Sequence, residues 1–280
     1  MCRVGWTASC FFILAGLLVS AERTQSFKFV LLGDRTGEAQ PGVYEQIWSE
    51  IGREKPSFVL SGGDTIQGGN DNTARQEWKA VFSMLAPYRS IPFYLVPGNH
   101  DVWSRLSESL FRQFARRPVH YSFDYGQLHV TVLDNSRTEE LAANELKFLT
   151  SDLDAHKQQP LKMIISHRPS WLIPILFSNP RSAVHQIAKK YGVQYVVGAH
   201  IHQMLRFDLE GITYFCLPSA GGHLRASKAF SDGWFFGHIL VHISNDKLTF
   251  RIQEIGPSRG AGRVTALEDW GSAGLVKKAS

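Results

Sequence analysis

The stretch Val96-Pro97-Gly98-Asn99-His100-Asp101 closes the apolar run Ile91 to Val96, which predicts a buried strand. It places an amide, an imidazole and a carboxylate side by side where that strand should end. Asn99 offers an oxygen ligand, His100 can donate a proton or bind a metal, and Asp101 can orient the His100 ring. This combination predicts a functional site at the carboxyl edge of a sheet.

Three further polar clusters also follow apolar runs. They are Gly33-Asp34-Arg35-Thr36, Gly63-Asp64-Thr65, and the pair Ser166-His167 and Gly198-Ala199-His200-Ile201-His202. Strands whose carboxyl ends face the same way would bring all of these clusters to one place.

In this order the segments resemble the calcineurin-like metallophosphoesterase superfamily. Its motifs are Asp-x-His, Gly-Asp, Gly-Asn-His-Asp/Glu, a lone His and Gly-His-x-His, and the match runs from Asp34 to His202. A Gly-Asp dipeptide alone is common, whereas five motifs in order are specific. One ligand position departs from the pattern, because Thr36 stands where the family usually has His. The purple acid phosphatase branch has a Tyr at the position of Gln67, so a tyrosinate-iron site is not supported.

The resemblance implies two divalent metal ions that share Asp64 as a bridging carboxylate. The first ion would take Asp34 and His202, and the second would take Asn99, His167 and His200. This mixture of carboxylate, amide and imidazole suits Mn, Fe or Zn and does not choose among them. Two such ions lower the pKa of a bound water and clamp the in-line geometry of phosphoester hydrolysis.

The resemblance also gives roles to neighbouring residues. His100 is expected to protonate the leaving alkoxide, with Asp101 holding its ring. His200 and His202 are expected on one extended segment, where side chains alternate, so that both point to the metals.

Arg35, Arg168 and His223 lie in or near the predicted rim and could bind a substrate phosphate. For each of them the alternative is a surface salt bridge. Arginine would suit this role because its guanidinium group binds phosphate bidentately.

The order of elements predicts the fold. Apolar runs alternate with helical patterns and then give way to successive strands, which predicts an α/β (α+β) domain of two packed sheets with helices outside. The resemblance implies a four-layer αββα sandwich of two mixed sheets flanked by helices, over residues 22–256. Ser136 and Glu139 predict a capping box for a helix that ends near Asp154. The Gly- and Ser-rich residues 257–280 predict a loosely held tail or a short surface helix.

Residues 1–21 have the pattern of a secretory signal peptide. Arg3 precedes the apolar run Ala8 to Val19, and Val19-Ser20-Ala21 supplies small residues for cleavage. A retained membrane anchor is the alternative, but the run is shorter than the about 20 apolar residues of a spanning helix. Of three cysteines, cleavage would leave only Cys216, which excludes an internal disulfide. The pattern predicts an exported protein, periplasmic or secreted, without a stable membrane span.

The formal net charge of +5 fits an anionic substrate, and no basic run is dense enough to indicate nucleic-acid binding. We therefore expect hydrolysis of a small phosphoester, with monoester and diester both open, and the oligomeric state is not indicated. The alternative is a catalytically weakened or inactive metal-binding or scaffold protein of the same fold. Such decay should alter several ligand positions of the motifs, whereas among these only Thr36 departs.

Overall fold

Two six-stranded sheets form the centre of the molecule in a computed structural model, which describes Met1 and residues 26–256, 261–271 and 274–275. Apart from Met1, the predicted signal peptide lies outside the described residues. The strands are, in chain order, β1 (Phe27–Leu32), β2 (Val59–Ser61), β3 (Phe93–Tyr94), β4 (Tyr121–Tyr125), β5 (Leu128–Leu133), β6 (Leu161–Ser166), β7 (Tyr195–Gly198), β8 (Leu205–Leu209), β9 (Ile212–Cys216), β10 (Gly237–Ser244), β11 (Lys247–Ile255), β12 (Ala261–Ala266), β13 (Trp270–Gly271) and β14 (Gly274–Leu275).

The helices follow the predicted alternation with the strands. They are α1 (Val43–Glu54), α2 (Asp71–Met84), α3 (Arg105–Ala115), α4 (Ala143–Ala155), α5 (Leu172–Leu176) and α6 (Ala183–Lys190). Among the described residues, no helix combines the length and the apolar composition that a membrane crossing requires.

Both sheets are mixed, as predicted. The first has the order β12-β11-β10-β1-β2-β3, and β1, β2 and β3 are parallel to one another. The second has the order β4-β5-β6-β7-β9-β8, with β5, β6, β7 and β9 parallel and the edge strands β4 and β8 antiparallel to their neighbours. Parallel strands aligned in this way bring their carboxyl ends to one edge of each sheet.

The buried core has three layers between four layers of secondary structure. Phe29 and Leu31 on one face of β1 pack between the sheets with residues such as Val130. Val30 and Leu32 on its other face pack under the helices α1 and α2. A third layer lies between the second sheet and α4 and α6. These observations confirm the αββα sandwich and explain why the β1 sequence is apolar at every position except Lys28.

Two local predictions are wrong. The strand predicted over Ile91 to Val96 is only Phe93–Tyr94, because the chain leaves the sheet early to form the loop that carries Asn99. The capping box at Ser136 is not formed, and α4 has Ala142 as its N-cap. Ser136 instead donates its N–H and its hydroxyl to Asp134 Oδ1, at 3.0 and 2.7 Å. The hydrogen-bond partner of Ser136 is therefore the nearby Asp134 carboxylate and not the helix terminus.

The described part of the predicted tail is a paired strand followed by a short 3-10 helix (Leu267–Asp269) rather than a loose segment. Residues 261–266 form β12, an edge strand antiparallel to β11. Leu267 and Trp270 are buried, and the Trp270 ring lies 5.3 Å from that of Phe230. Composition predicted a loose segment because the glycines and serines outnumber these two apolar anchors.

Candidate metal centre

The predicted ligands meet at the carboxyl ends of strands from both sheets. Asp34 follows β1, Asp64 follows β2, and Asn99 follows β3 in the first sheet. His167 directly follows β6, and His200 and His202 follow β7 in the second sheet. All six candidate ligands thus lie on one rim, and their role in metal binding stays a prediction.

His167 lies at the centre of one group of ligand atoms. Its Nδ1 lies 2.9 Å from the Gly62 carbonyl oxygen, so this nitrogen carries the donated hydrogen and Nε2 faces the site. That Nε2 is 3.1 Å from Asn99 Oδ1, 3.2 Å from Asp64 Oδ2 and 3.1 Å from His200 Nδ1. Four candidate ligands therefore converge on one point.

Asp34 and His202 form the other group. Both side chains are buried, and His202 Nε2 is 3.2 Å from Asp34 Oδ2. That carboxylate oxygen has no hydrogen-bond partner among the described residues, whereas Asp34 Oδ1 accepts the His200 N–H at 3.0 Å. The other nitrogen of His202 donates to the His223 carbonyl oxygen at 2.7 Å, which turns Nε2 toward Asp34.

These spacings fit metal binding. Two donor atoms that each lie about 2.1 Å from one ion are about 3.0 Å apart in octahedral geometry and about 3.4 Å apart in tetrahedral geometry. The distances between the side-chain donor atoms in both groups fall within this range. A buried carboxylate oxygen without a donor costs free energy unless a cation satisfies it. The residues therefore fit a metal in both their spacing and their chemistry.

Backbone strain accompanies the same residues. Asp64, His200 and His202 have φ values of 52°, 65° and 63°, in the left-handed region. Each costs about 1 to 2 kcal/mol for a non-glycine residue. Gly98 shows how tightly the loops pack, since a Cβ there would lie 2.1 Å from Asp64 Oδ1. Strain of this kind collects at sites whose geometry the rest of the fold imposes.

The prediction that His200 and His202 lie on one extended segment is wrong. The segment after β7 is not extended, because both residues adopt positive φ. They reach the site by this turn of the backbone rather than by the alternation of a strand. The Arg225 guanidinium supports the turn by donating to the His200 carbonyl oxygen at 2.8 Å.

His100 lies beside the candidate ligands, but Asp101 does not hold its ring. His100 Nε2 is 4.0 Å from Asp64 Oδ2, and its Nδ1 contacts the Gln67 carbonyl oxygen. Asp101 is fully buried and accepts backbone N–H groups from Thr65 at 2.8 Å and Gly98 at 3.1 Å, with a third from the residue after Thr65. Asp101 therefore ties the loop of Asp64 to the loop of Asn99, because its two carboxylate oxygens accept these backbone donors.

Thr36 and Gln67, the two positions that depart from family patterns, contact each other. The buried Thr36 hydroxyl donates to Gln67 Oε1. The Thr36 N–H also donates to the Asp64 carbonyl oxygen at 3.2 Å. Thr36 therefore connects the loop that carries Asp34 to the loop that carries Asp64 and Gln67. The contact between these two residues was not predicted from the sequence.

The three residues that were predicted to contact phosphate each bind another group of the protein. Arg35 donates to the Thr65 carbonyl oxygen at 3.1 Å and lies over the Tyr44 ring, and Arg168 pairs with Glu139. His223 Nδ1 lies 2.7 Å from the Gly37 carbonyl oxygen. Their roles in substrate binding stay predictions. The carbonyl of His223, which orients His202, was missed because main-chain groups leave no signal in a sequence.

Charge in the centre favours a cation. Burial lowers the pKa of His200 to about 4, and the nearby charge of His167 adds to this effect. Burial would also lower the pKa of His167, but the charge of Asp64 outweighs it and raises that pKa to about 9. Burial would raise the pKa of Asp64, whereas His167 lowers it to about 2. A positive charge is thus held between Asp64 and Asn99, and a metal would replace that proton.

A second group of ligand types lies away from this rim. Asp124, His129 and His156 are close together near β4, β5 and α4. His129, however, places Nδ1 2.7 Å from Asp124 and Nε2 2.9 Å from Asp152. Both of its ring nitrogens are occupied by carboxylates, so neither nitrogen of this buried strand residue is free to bind a metal.

Comparison with known families tests the resemblance. A family model described as calcineurin-like phosphoesterase matches residues 27–204, which is more than half of the chain and includes all five motifs. The chain is a calcineurin-like phosphoesterase. Like its family, this phosphoesterase is a metal-dependent hydrolase of phosphoesters.

Its curated relatives are distant. Tartrate-resistant acid phosphatase type 5 of Homo sapiens is 23% identical over 292 residues, which cover 86% of this chain and 87% of the relative. The 3',5'-cyclic adenosine monophosphate phosphodiesterase CpdA of Haemophilus influenzae is 21% identical over 188 residues, or 63% of this chain and 66% of the relative. This phosphoesterase thus resembles both a phosphatase and a phosphodiesterase.

Solved structures agree on the fold. A purple acid phosphatase from seeds of yellow lupin, Lupinus luteus, superposes with a TM-score of 0.68 at 15% identity. The match covers 92% of this phosphoesterase and 58% of the lupin chain. GAP50, the anchor in the inner membrane complex of Plasmodium, superposes with a TM-score of 0.59 at 15% identity over 90% of each chain.

Proposed function

We propose that this phosphoesterase is exported and hydrolyses a small phosphoester with two divalent ions, Mn, Fe or Zn. The observation that carries the proposal is the pair of ligand groups on either side of the rim. Asp34 with His202 forms one group, and Asn99 with His167 and His200 forms the other. Asp64 Oδ2, 3.2 Å from His167 Nε2, belongs to the second group and is the carboxylate that we assign as the bridge.

The chain's own residues supply the remaining chemistry. Ions bound in these groups would lower the pKa of a nucleophilic water and neutralise the phosphoryl oxygens. Because His100 Nδ1 donates to the Gln67 carbonyl oxygen, Nε2 is the ring nitrogen left to face a substrate. The His100 side chain is 29% exposed, so a substrate can reach Nε2. His100 is thus placed to protonate the oxygen of the leaving group.

Both monoesters and diesters remain candidate substrates. An acid phosphatase and a cyclic nucleotide phosphodiesterase are related to this chain at similar identity. The positive net charge supports an anionic substrate of either kind. Export is proposed from the sequence of residues 1–21.

A non-catalytic scaffold is the second candidate, and two observations favour it. Thr36 replaces the usual histidine of the first motif, and the structural neighbour GAP50 is described as an anchor. Against it, six candidate ligands converge with spacings that fit metal, which a scaffold has no need to keep.

The test combines metal analysis with turnover. Asp64→Ala and Asn99→Ala should each lose bound metal and hydrolysis of a panel of phosphomonoesters, phosphodiesters and nucleotides. Asp154→Ala is the matched control, because it removes an exposed carboxylate of α4 outside the site. Unchanged metal content and turnover in both site variants would refute the assignment. Bound metal without turnover on any ester in the wild type would favour the scaffold.

A further inference from the structure

A cavity of about 570 Å³ lies at the edge of the first sheet opposite the candidate metal centre. It is an open cavity lined by residues of α1, of the carboxyl ends of α2 and α3, and of the segment 86–93, which leads into β3. Because β3 runs from Phe93 toward Asn99, the cavity lies at the amino end of the strand and the metal ligands lie beyond its carboxyl end. The two sites are therefore separate.

Aromatic rings form the walls of this cavity. The Trp48 ring lies 5.6 Å from that of Tyr88 and 5.2 Å from that of Phe93. Phe82 and Phe114 face each other at 5.6 Å between ring centroids. Walls of this kind bind flat or acyl groups by burial and stacking. The volume falls within the about 300 to 1,000 Å³ range of small-molecule sites.

Two arginine side chains also line this cavity. Arg89 and Arg116 are exposed, and within the part of the chain that the structure describes neither guanidinium group makes a hydrogen bond, an ion pair or a ring contact. No carboxylate is among the residues that line the cavity. By contrast, Arg112, one turn earlier in α3, pairs with Glu108 at 2.7 Å.

An alternative role for these arginines is to stabilise the carboxyl ends of α2 and α3, whose free carbonyl groups attract cations. Neither guanidinium group donates a hydrogen bond to those carbonyls among the described residues. The two arginines therefore remain available to a ligand, and a guanidinium group binds carboxylate or phosphate bidentately.

We propose that this cavity binds a small amphipathic anion. The apolar body of the ligand, aromatic or acyl, packs between the aromatic walls, and its carboxylate, sulfonate or phosphate contacts Arg89 and Arg116. Binding does not require metal, because the cavity contains none of the candidate ligands.

Two fluorescent probes that share one apolar body test this proposal on the intact protein in excess chelator. 1-Anilinonaphthalene-8-sulfonate carries a sulfonate, and N-phenyl-1-naphthylamine lacks it. The sulfonate probe should bind saturably at one site per chain and be displaced by decanoate. Arg89→Ala and Arg116→Ala should each weaken it about tenfold, as expected for a charged hydrogen bond of about 1.5 kcal/mol, with little change for the neutral probe.

Two further variants provide the comparison. Arg105→Ala removes the same charge at the other end of α3 and should leave both affinities unchanged. Ala86→Trp, at an exposed position that lines the cavity, should weaken both probes by filling the space. Equal sulfonate-probe affinities in the Arg89, Arg116 and Arg105 variants would overturn the proposal. Loss of probe binding in Asn99→Ala would also overturn it, because the probe would then occupy the metal centre.

Discussion

Thr36 is the position where replacement should change the metal centre most informatively. Thr36 is buried, and its hydroxyl donates to Gln67 rather than to a group at the metal rim. A neutral hydroxyl is a weak ligand, so the first ion should keep only Asp34, Asp64 and His202 from the protein. The wild type should then retain one tight ion per chain after dialysis, and activity should rise with added divalent metal. Thr36→His should tighten the weaker site.

The size of the effect follows from opposing contributions. A supporting group typically changes metal affinity about 10- to 100-fold, and an added imidazole should give at least this gain, about 1.4 to 2.7 kcal/mol. The loss of the Thr36 hydrogen bond costs about 1 kcal/mol. Overpacking at this fully buried position costs about 1 to 3 kcal/mol more. The metal-free variant should therefore be about 2 to 4 kcal/mol less stable.

A second substitution separates these effects. Gln67→Ala opens space beside position 36, so the double variant Thr36→His with Gln67→Ala should keep the gain in affinity at a lower cost in stability. Gln67→Ala alone is the control and should show no gain. Titration calorimetry and metal analysis after dialysis provide the measurements. Two equally tight ions in the wild type, or no gain in the double variant, would refute the reasoning.

Three other predictions follow from the site and the sequence. Asp101→Asn should lower the free energy of unfolding in urea by about 1 to 3 kcal/mol, because an amide cannot accept all three backbone N–H groups, and an equal loss in the exposed Asp154→Asn control would contradict this. His100→Ala should retain metal and slow alkyl esters far more than nitrophenyl esters, whose leaving group needs little protonation, so equal slowing would argue against its role as the acid. The exported chain should begin near Glu22 in N-terminal sequencing, and a retained Met1 in membrane fractions would exclude cleavage.

The sequence predicted that the candidate ligands come together, because the ends of buried strands are marked by abrupt changes from apolar to polar residues. Asp34 and His167 illustrate this, since each follows a run buried on both faces of its sheet. Order along the chain then sufficed to place them on one rim, because parallel strands align their carboxyl ends.

Contacts made through the backbone could not be predicted in this way. Asp101 binds three N–H groups instead of the His100 ring, and His202 is oriented by a carbonyl. Such partners depend on loop conformation, as does the left-handed backbone at His200. Strand β12 was missed for a related reason, since its pairing with β11 depends on long-range contacts and not on local composition.

The central claim is that two metal ions bind on this rim and share Asp64. Anomalous diffraction from crystals of the protein loaded with Mn or Zn measures this directly. We expect two peaks per chain, one beside Asp34 and His202 and one beside Asn99, His167 and His200, with the carboxylate of Asp64 between them. A single peak, or two peaks of which only one lies within reach of Asp64, would contradict the account.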